Sequence, residues 1–223
     1  MSWRHLDEGD VPVRANRRGS RPRTKERPAH AEAVVATVLG VDRGRYACLV
    51  PAGSAGRGEP ERIVTAMKAR EVGRSRVVVG DDVALVGDLS GGPDALARVV
   101  RVQERRSVLR RTADDTDPVE RVIVANADQL VIVTALADPQ PRPRMIDRCL
   151  VAAYDAGLDP VLALTKSDLT DPAGFLARYA PLDVDHVVTS WQDGRFRGLG
   201  ELRERLAGKV SVLVGHSGVG KST

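Results

Sequence analysis

The chain has 223 residues, 42% of them apolar, which is enough for one large globular domain or two smaller ones, and its net charge of +4 favours a polyanionic partner such as RNA. The two cysteines, Cys48 and Cys149, are too few and too far apart for a disulfide framework or a cysteine metal site. The sequence has neither an apolar run near the roughly 20 residues of a membrane span nor a secretory signal, so we expect a cytoplasmic protein.

Residues 1–32 are polar and basic. They carry too little apolar surface to order themselves. The segment is either a solvated tail or a flexible arm that orders on RNA, and both interpretations stay open. Seven of its basic residues crowd together with prolines and a glycine between them, and they are Arg14, Arg17, Arg18, Arg21, Arg23, Lys25 and Arg27.

Residues 33–111 contain short β-branched runs separated by turn residues. Strands are predicted at 33–39, 45–50, 61–66, 76–79, 83–86 and 95–102, with Asp42-Arg43-Gly44 as a hairpin loop. This spacing predicts a small barrel or sandwich, and the size favours an all-β, five-stranded oligonucleotide-binding (OB) barrel.

The surface of this unit is basic but poor in aromatic residues. Tyr46 is its only aromatic residue, so contacts to RNA phosphates and RNA shape are expected instead of base stacking. An ordinary solvated face is the alternative. The basic residues concerned are Arg62, Lys68, Arg70, Arg74, Arg76, Arg101, Arg105, Arg106, Arg110 and Arg111.

Residues 112–118 are rich in aspartate and are expected to form a linker. From 119 to 223 strands and helices alternate, which predicts an α/β domain with a mostly parallel sheet. The predicted strands are 122–125, 129–136, 161–164, 186–188 and 210–214, and the predicted helices are 143–156, one that begins after Asp171-Pro172, and 199–206.

The last nine residues match the phosphate loop G-x-x-x-x-G-K-[ST] and directly follow the apolar run 210–214. They are Gly215-His216-Ser217-Gly218-Val219-Gly220-Lys221-Ser222-Thr223. The glycines allow backbone N–H groups to converge on one anion. Lys221 would reach the β- and γ-phosphates, the Ser222 hydroxyl would ligate Mg²⁺, and the Ser222 and Thr223 N–H groups would meet phosphates.

A second motif, Thr165-Lys166-Ser167-Asp168, resembles the guanine-specificity motif [NT]-K-x-D of GTPases. The Asp168 carboxylate can accept from guanine N1–H and the 2-amino group, which adenine lacks. The stem of Lys166 can lie over the base. Thr165 lacks the amide of the more usual asparagine, so its contact would be weaker or different. A plain strand-to-helix turn is the alternative interpretation.

The segment Val188-Thr189-Ser190 resembles the second guanine-contact loop of GTPases, in which a backbone N–H meets guanine O6. A simple turn is again the alternative. The next residue, Trp191, is interpreted as a packing residue at a loop.

The guanine motif precedes the phosphate loop, which is the order expected of a circularly permuted GTPase. With a basic barrel in front, the chain resembles the RsgA (YjeQ) family of ribosome small-subunit-dependent GTPases. Further stretches that carry the resemblance are Val79-Gly80-Asp81-Asp82-Val83, Arg106-Ser107-Val108-Leu109-Arg110-Arg111, Ala125-Asn126-Ala127-Asp128-Gln129 and Ile146-Asp147-Arg148-Cys149-Leu150.

The resemblance implies an OB barrel, a permuted G domain and a C-terminal zinc domain. It implies GTP, GDP and Mg²⁺ as ligands, and GTP hydrolysis on the small ribosomal subunit and its rRNA during late maturation. We expect a monomer. The chain stops before the switch threonine and the Asp-x-x-Gly motif, and it has no zinc-ligand cluster, so zinc is expected only if a further domain exists.

The resemblance therefore predicts a G domain that is incomplete at its C-terminus. The expected GTPase activity of these 223 residues is weak or nil, and no catalytic residue is assigned. Robust turnover stimulated by the small subunit would contradict this expectation.

Two other functions stay open at this point. A nonenzymatic RNA-binding module with an inert nucleotide domain would be favoured if calorimetry found no GTP or GDP affinity even in a full-length protein. An ATP-using phosphotransferase would be favoured if substitution of Asp168 left base preference unchanged.

Overall fold

The computed structural model describes residues 30–73, 75–114 and 117–222. Most of the basic arm predicted for 1–32 lies outside these ranges, and so do Arg74 and Thr223. Within them, no helix is both long enough and apolar enough to cross a membrane.

The first unit is a closed barrel with the strand order β1-β2-β3-β5-β4. All neighbouring strands are antiparallel except β3 and β5, which are parallel. The predicted five-stranded barrel is thereby confirmed. Its strands are β1 (Val34–Asp42), β2 (Arg45–Val50), β3 (Arg62–Lys68), β4 (Asp82–Gly87) and β5 (Ala97–Val102), and a 3-10 helix, Arg70–Val72, follows β3.

Local sequence explains both the barrel core and its first turn. Inward-facing residues alternate along the strands, and Val38, Val83 and Leu85 are fully buried. Between β1 and β2, Arg43 and Gly44 both have positive φ, 44° and 81°, as a tight two-residue hairpin turn requires.

The second unit contains a parallel four-stranded sheet in the order β10-β9-β8-β13. The predicted α/β architecture is confirmed. Its elements, in chain order, are β6 (Val108–Asp114), β7 (Asp117–Ala125), β8 (Gln129–Ala135), α1 (Pro143–Asp155), β9 (Asp159–Thr165), α2 (Ala173–Tyr179), a 3-10 helix (Ala180–Leu182), β10 (Asp185–Val188), β11 (Ser190–Gln192), β12 (Arg195–Arg197), α3 (Leu199–Leu206) and β13 (Ser211–Val214).

Helices cover both faces of this sheet. Side chains of α1 and α2, including Ile146 and Tyr179, pack with Leu130, Ile132 and Leu162 on one face. Leu202 and Leu206 of α3 pack against the cluster on the other face. All seven residues of β8 are buried, as expected for a strand covered on both sides.

Strands β6 and β7 form a separate antiparallel hairpin. The segment expected to be a linker, 112–118, falls at the turn end of this hairpin, where Thr112 pairs with Glu120 and Asp114 pairs with Asp117. Residues 115 and 116 lie outside the described ranges. The aspartates of this segment suggested a loop, but the β-branched stretches on either side extend the pairing into it.

The barrel meets the sheet at a close backbone contact, which we call the joint, formed by 78–81 and 125–128. The Ala125 N–H donates to the Val79 carbonyl at 3.0 Å, and the Asn126 side-chain amide donates to the Gly80 carbonyl at 2.9 Å. Gly80 has φ +85°, and a Cβ there would overlap the Ala125 carbonyl oxygen. The joint therefore tolerates only glycine at this position.

A buried ion pair supports the joint from the barrel side. The Asp81 side chain is fully buried, and its two oxygens accept from the Arg105 guanidinium at 2.7 and 3.0 Å. One of these oxygens also accepts from the Val78 N–H at 2.8 Å. This side-chain bond occupies the backbone donor of Val78. The prediction of a strand at 76–79 is therefore wrong. Among the described residues of this segment, only an isolated β-bridge between Val79 and Val124 forms.

Candidate nucleotide-binding site

The guanine motif and the phosphate loop meet at the carboxyl edge of the parallel sheet. Thr165 ends β9, and the phosphate loop leaves β13 after Val214. Because parallel strands end at the same edge of a sheet, both motifs face one crevice. A cavity of about 720 Å³ lies there, and Lys166, Asp168 and Lys221 are among its lining residues.

One hydrogen bond joins the two motifs directly. The Thr165 hydroxyl donates to the Val219 carbonyl at 2.7 Å across 54 positions of sequence. The Val219 side chain is fully buried with Val131, Val133 and Ala163 on the α3 face of the sheet. Threonine at the first motif position therefore has a partner in the phosphate loop itself.

The guanine motif is also tied to the segment after β10. The Ser167 N–H donates to the Thr189 carbonyl at 3.2 Å. The backbone N–H of Trp191 donates to Oδ1 of Asp168 at 3.1 Å. Ser190 is buried and lies in the cavity wall. The carboxylate predicted to select the base is thereby oriented by the loop predicted to contact the same base.

A short hairpin that the sequence analysis missed forms one wall of the cavity. Trp191 of β11 and Phe196 of β12 pack edge to face with ring centroids 4.5 Å apart, and both line the cavity. Trp191 is 53% exposed, so it is a wall residue as well as a packing residue. The available signal was Asp193-Gly194, a two-residue hairpin turn in which both residues have positive φ.

The phosphate loop has the backbone that its glycines permit. Gly218 and Gly220 have φ of 81° and 89°, which other residues rarely adopt. A Cβ on Gly215 would overlap the Val133 carbonyl oxygen, so this glycine lets the loop pass closely over β8.

Polar side chains of the loop are held by the loop itself. The Lys221 ammonium donates to the His216 carbonyl at 2.7 Å. Nδ1 of His216 lies 3.0 Å from the Ser217 carbonyl oxygen, while its buried Nε2 has no hydrogen-bond partner among the described residues. Ser217, Lys221 and Ser222 are exposed at the loop surface.

These residues fit a guanine nucleotide with Mg²⁺. The carboxylate of Asp168 lines the cavity together with Gly220 and Lys221 of the phosphate loop, a combination that suits a base and a phosphate chain. Lys166 has φ +58°, and its ammonium donates to the Asp138 carbonyl, so its stem runs along the cavity wall. Among the described residues no cluster of three or more His, Cys, Asp or Glu could hold a metal. The phosphate-loop motif predicts the Ser222 hydroxyl as the protein ligand of Mg²⁺.

Part of the basic barrel surface is occupied by internal contacts. Arg62 bonds Glu59 and the Leu89 carbonyl, Arg105 bonds Asp81, and Arg106 bonds Asp128. Tyr46 is 7% exposed in the barrel core, so the barrel's only aromatic residue is not available for stacking.

Comparison with known proteins finds one family model and several relatives that match this chain. The family model described as RsgA GTPase matches residues 102–223, more than half of the chain. The small ribosomal subunit biogenesis GTPase RsgA of Chlorobaculum parvum is 39% identical over 170 residues, covering 73% of this chain and 54% of the relative. RsgA of Hahella chejuensis is 36% identical over 164 residues, covering 70% of this chain and 46% of the relative.

Solved structures share the fold. The crystal structure of YjeQ from Thermotoga maritima matches with a TM-score of 0.62 and 26% identity, over 85% of this chain and 62% of that one. The structure of YloQ, a circularly permuted GTPase, matches with a TM-score of 0.61 and 21% identity, over 86% of this chain and 63% of that one. The chain spans about half the length of the curated relatives that it matches.

Proposed function

Because the chain belongs to the RsgA GTPase family, we propose that it binds GTP and GDP and acts in small ribosomal subunit biogenesis. The observation that supports the nucleotide proposal is the hydrogen bond between the two motifs, from the Thr165 hydroxyl to the Val219 carbonyl, because residues of both motifs line one cavity. The order of the motifs, with guanine recognition before phosphate binding, is that of a circularly permuted G domain.

Each motif residue has a proposed task in nucleotide binding. Asp168 accepts hydrogen bonds from guanine N1–H and the 2-amino group, and Trp191 and Ser190 position the loop around it. Lys221 already lies at the phosphate loop, where it would exchange the His216 carbonyl for phosphate oxygens. Ser222 would hold Mg²⁺, which neutralises phosphate charge when bound.

The relatives named small ribosomal subunit biogenesis GTPase support the cellular role. We propose that the protein is cytoplasmic and monomeric, and that it contacts the small subunit and its rRNA while GTP is hydrolysed to GDP. The proposed division of labour is an arm at 1–32, the barrel at 33–111 as an RNA-binding unit, and the G domain at 119–223.

The decisive test is the base preference of an Asp168→Asn variant. An amide in place of the carboxylate cannot accept from both guanine donors, so GDP affinity should fall at least about 100-fold. Xanthosine diphosphate, whose 2-carbonyl can accept from the new amide, should bind the variant better than GDP does. Fluorescent nucleotide titration measures both affinities.

Asp171→Asn is the matched control, because Asp171 is an exposed carboxylate that accepts from the Ala173 N–H at 2.9 Å and does not line the nucleotide cavity. It should leave the affinities unchanged. If Asp168→Asn kept the guanine preference of the unmodified chain, the assignment of the base site would be wrong.

A further inference from the structure

A second cavity, of about 610 Å³, lies on the α1 and α2 side of the sheet and shares no lining residue with the nucleotide cavity. We call it the arginine cleft. The N-terminal turns of α1 and the C-terminal turn of α2 form it, and its lining residues are Arg142, Pro143, Arg144, Met145, Arg148 and Arg178.

The four arginines of the cleft are exposed, and none forms an ion pair within the described ranges. Asp147, the one acid on this stretch of α1, accepts from the Tyr179 hydroxyl at 3.1 Å. Arg205 of the same domain differs, since it pairs with Asp185 and Glu201. The cleft therefore concentrates four arginines that form no ion pair with an acid of the described residues.

The position of this charge on α1 is unfavourable for the isolated helix. Its first turn has no acidic residue, and no side chain caps it. Arg142 stands at the N-cap and Arg144 in the first turn, at the positive end of the helix dipole, where acidic residues are normally favoured. A bound anion would relieve both the arginine repulsion and the uncapped helix end.

We propose that the arginine cleft binds the phosphate backbone of RNA. Guanidinium groups make forked, charge-assisted hydrogen bonds to phosphate oxygens. Four of them from two helices match a chain of phosphates better than a single small anion. Met145 adds an apolar surface on which a ribose or base edge can lie.

This inference rests on the proposed role in ribosome biogenesis for the source of the RNA. It adds an RNA-contacting surface on the G domain to the one proposed on the barrel, several of whose arginines are occupied by internal contacts.

The test is RNA binding by the chain with three of the four arginines of the cleft neutralised, as Arg144→Gln, Arg148→Gln and Arg178→Gln together. The matched control is Arg195→Gln, Arg197→Gln and Arg203→Gln, which removes the same charge from exposed positions outside the cleft. The probe is a fluorescein-labelled RNA hairpin of about 20 base pairs, titrated across a salt series.

The cleft variant should lose at least about tenfold in affinity, and the slope of log Kd against log salt should fall by about 2, as expected when two to three phosphate contacts disappear. The control should lose less than about threefold. A variant with lysine at the same three positions keeps the positive charge but loses the forked hydrogen-bonding geometry of guanidinium, so its RNA affinity should be intermediate.

Equal losses in the cleft and control variants would overturn the proposal, and so would no loss in either or no RNA binding by the unmodified chain. Loss of binding to poly-glutamate with unchanged RNA binding would assign the cleft to an acidic protein and also overturn it. GDP affinity of the cleft variant should be unchanged, since the cleft shares no lining residue with the nucleotide cavity. If the unmodified chain had no GDP affinity, that result would count against the proposed function. The RNA titrations alone would then decide whether the arginine cleft binds RNA.

Discussion

The two ends of the parallel sheet differ in packing and exposure: the amino end is closely packed, whereas the carboxyl end exposes polar side chains. At the amino end, the joint has Gly80 against the backbone of Ala125 and polar groups that are mutually bonded, with Asp81 fully buried. At the carboxyl end, the phosphate loop exposes Lys221 and Ser222, and its glycines Gly218 and Gly220 adopt positive-φ conformations. The contrast suggests that changes at the joint reduce stability, whereas changes at the carboxyl edge reduce nucleotide affinity.

The largest effect is expected from Gly80→Ala at the joint. The new Cβ would overlap the Ala125 carbonyl, and φ of +85° would be strained for alanine, so the free energy of unfolding should fall by about 4 kcal/mol. Urea denaturation measures this. Gly174→Ala in α2, where a Cβ meets open space, should change stability by less than about 1 kcal/mol. Equal stability of the two variants would contradict the close packing of the joint.

The second-largest loss of stability is expected from Arg105→Ala, which also lies at the joint. Loss of the guanidinium leaves the buried Asp81 carboxylate with only the Val78 N–H, which should cost about 3 kcal/mol of unfolding free energy. The hydrogen bond to Asp81 raises the pKa of Arg105, consistent with a stabilising contact. The control is Arg101→Ala, an exposed barrel arginine. GDP affinity should be unaffected in the folded fraction. A loss of GDP affinity without a loss of stability would contradict the assignment of Arg105 to stability alone.

Thr165→Val tests the carboxyl edge. The isosteric side chain removes the bond to the Val219 carbonyl, so GDP affinity should fall about 5- to 10-fold, with a stability loss of only about 1 kcal/mol. Titration with fluorescent GDP measures the affinity. Thr170→Val, whose exposed hydroxyl bonds the neighbouring Leu169 carbonyl, is the control and should bind GDP normally. If Thr165→Val lowered stability strongly and left GDP affinity unchanged, the hydrogen bond to Val219 would serve stability and not nucleotide binding, contrary to our assignment.

The smallest effect is a pH dependence at the amino end. The hydrogen bond from the Val210 N–H, with a smaller contribution from Arg106, holds the pKa of Asp128 below its ordinary value. Its contribution to stability is therefore present above about pH 4, the ordinary aspartate range, and is lost as pH falls through the lower folded-state pKa. Asp128→Asn should make the acid-side decline in melting temperature shallower. Asp94→Asn, an exposed turn residue, is the control, and identical declines would exclude a role for Asp128.

Much of the fold could be predicted because its signals are local. Alternating β-branched residues marked the barrel strands, and the continuous apolar run at β8 marked a strand covered on both faces. The prediction failed at 76–79, where the Asp81 side chain takes the Val78 backbone donor. It also missed Ser190–Gln192 and Arg195–Arg197, since strands of three residues carry almost no periodic pattern.

The sequence alone was enough to predict the chemistry of the candidate site, because the guanine motif and the phosphate loop are short, contiguous segments that can be recognised without the fold. Only the tertiary structure decided how they cooperate. Sheet order β10-β9-β8-β13 places the ends of β9 and β13 at one crevice, where Thr165 bonds Val219 and Trp191 orients Asp168. It likewise brings Arg178 of α2 beside the arginines of α1. These contacts join residues distant in sequence, so their existence depends on packing that no local pattern encodes.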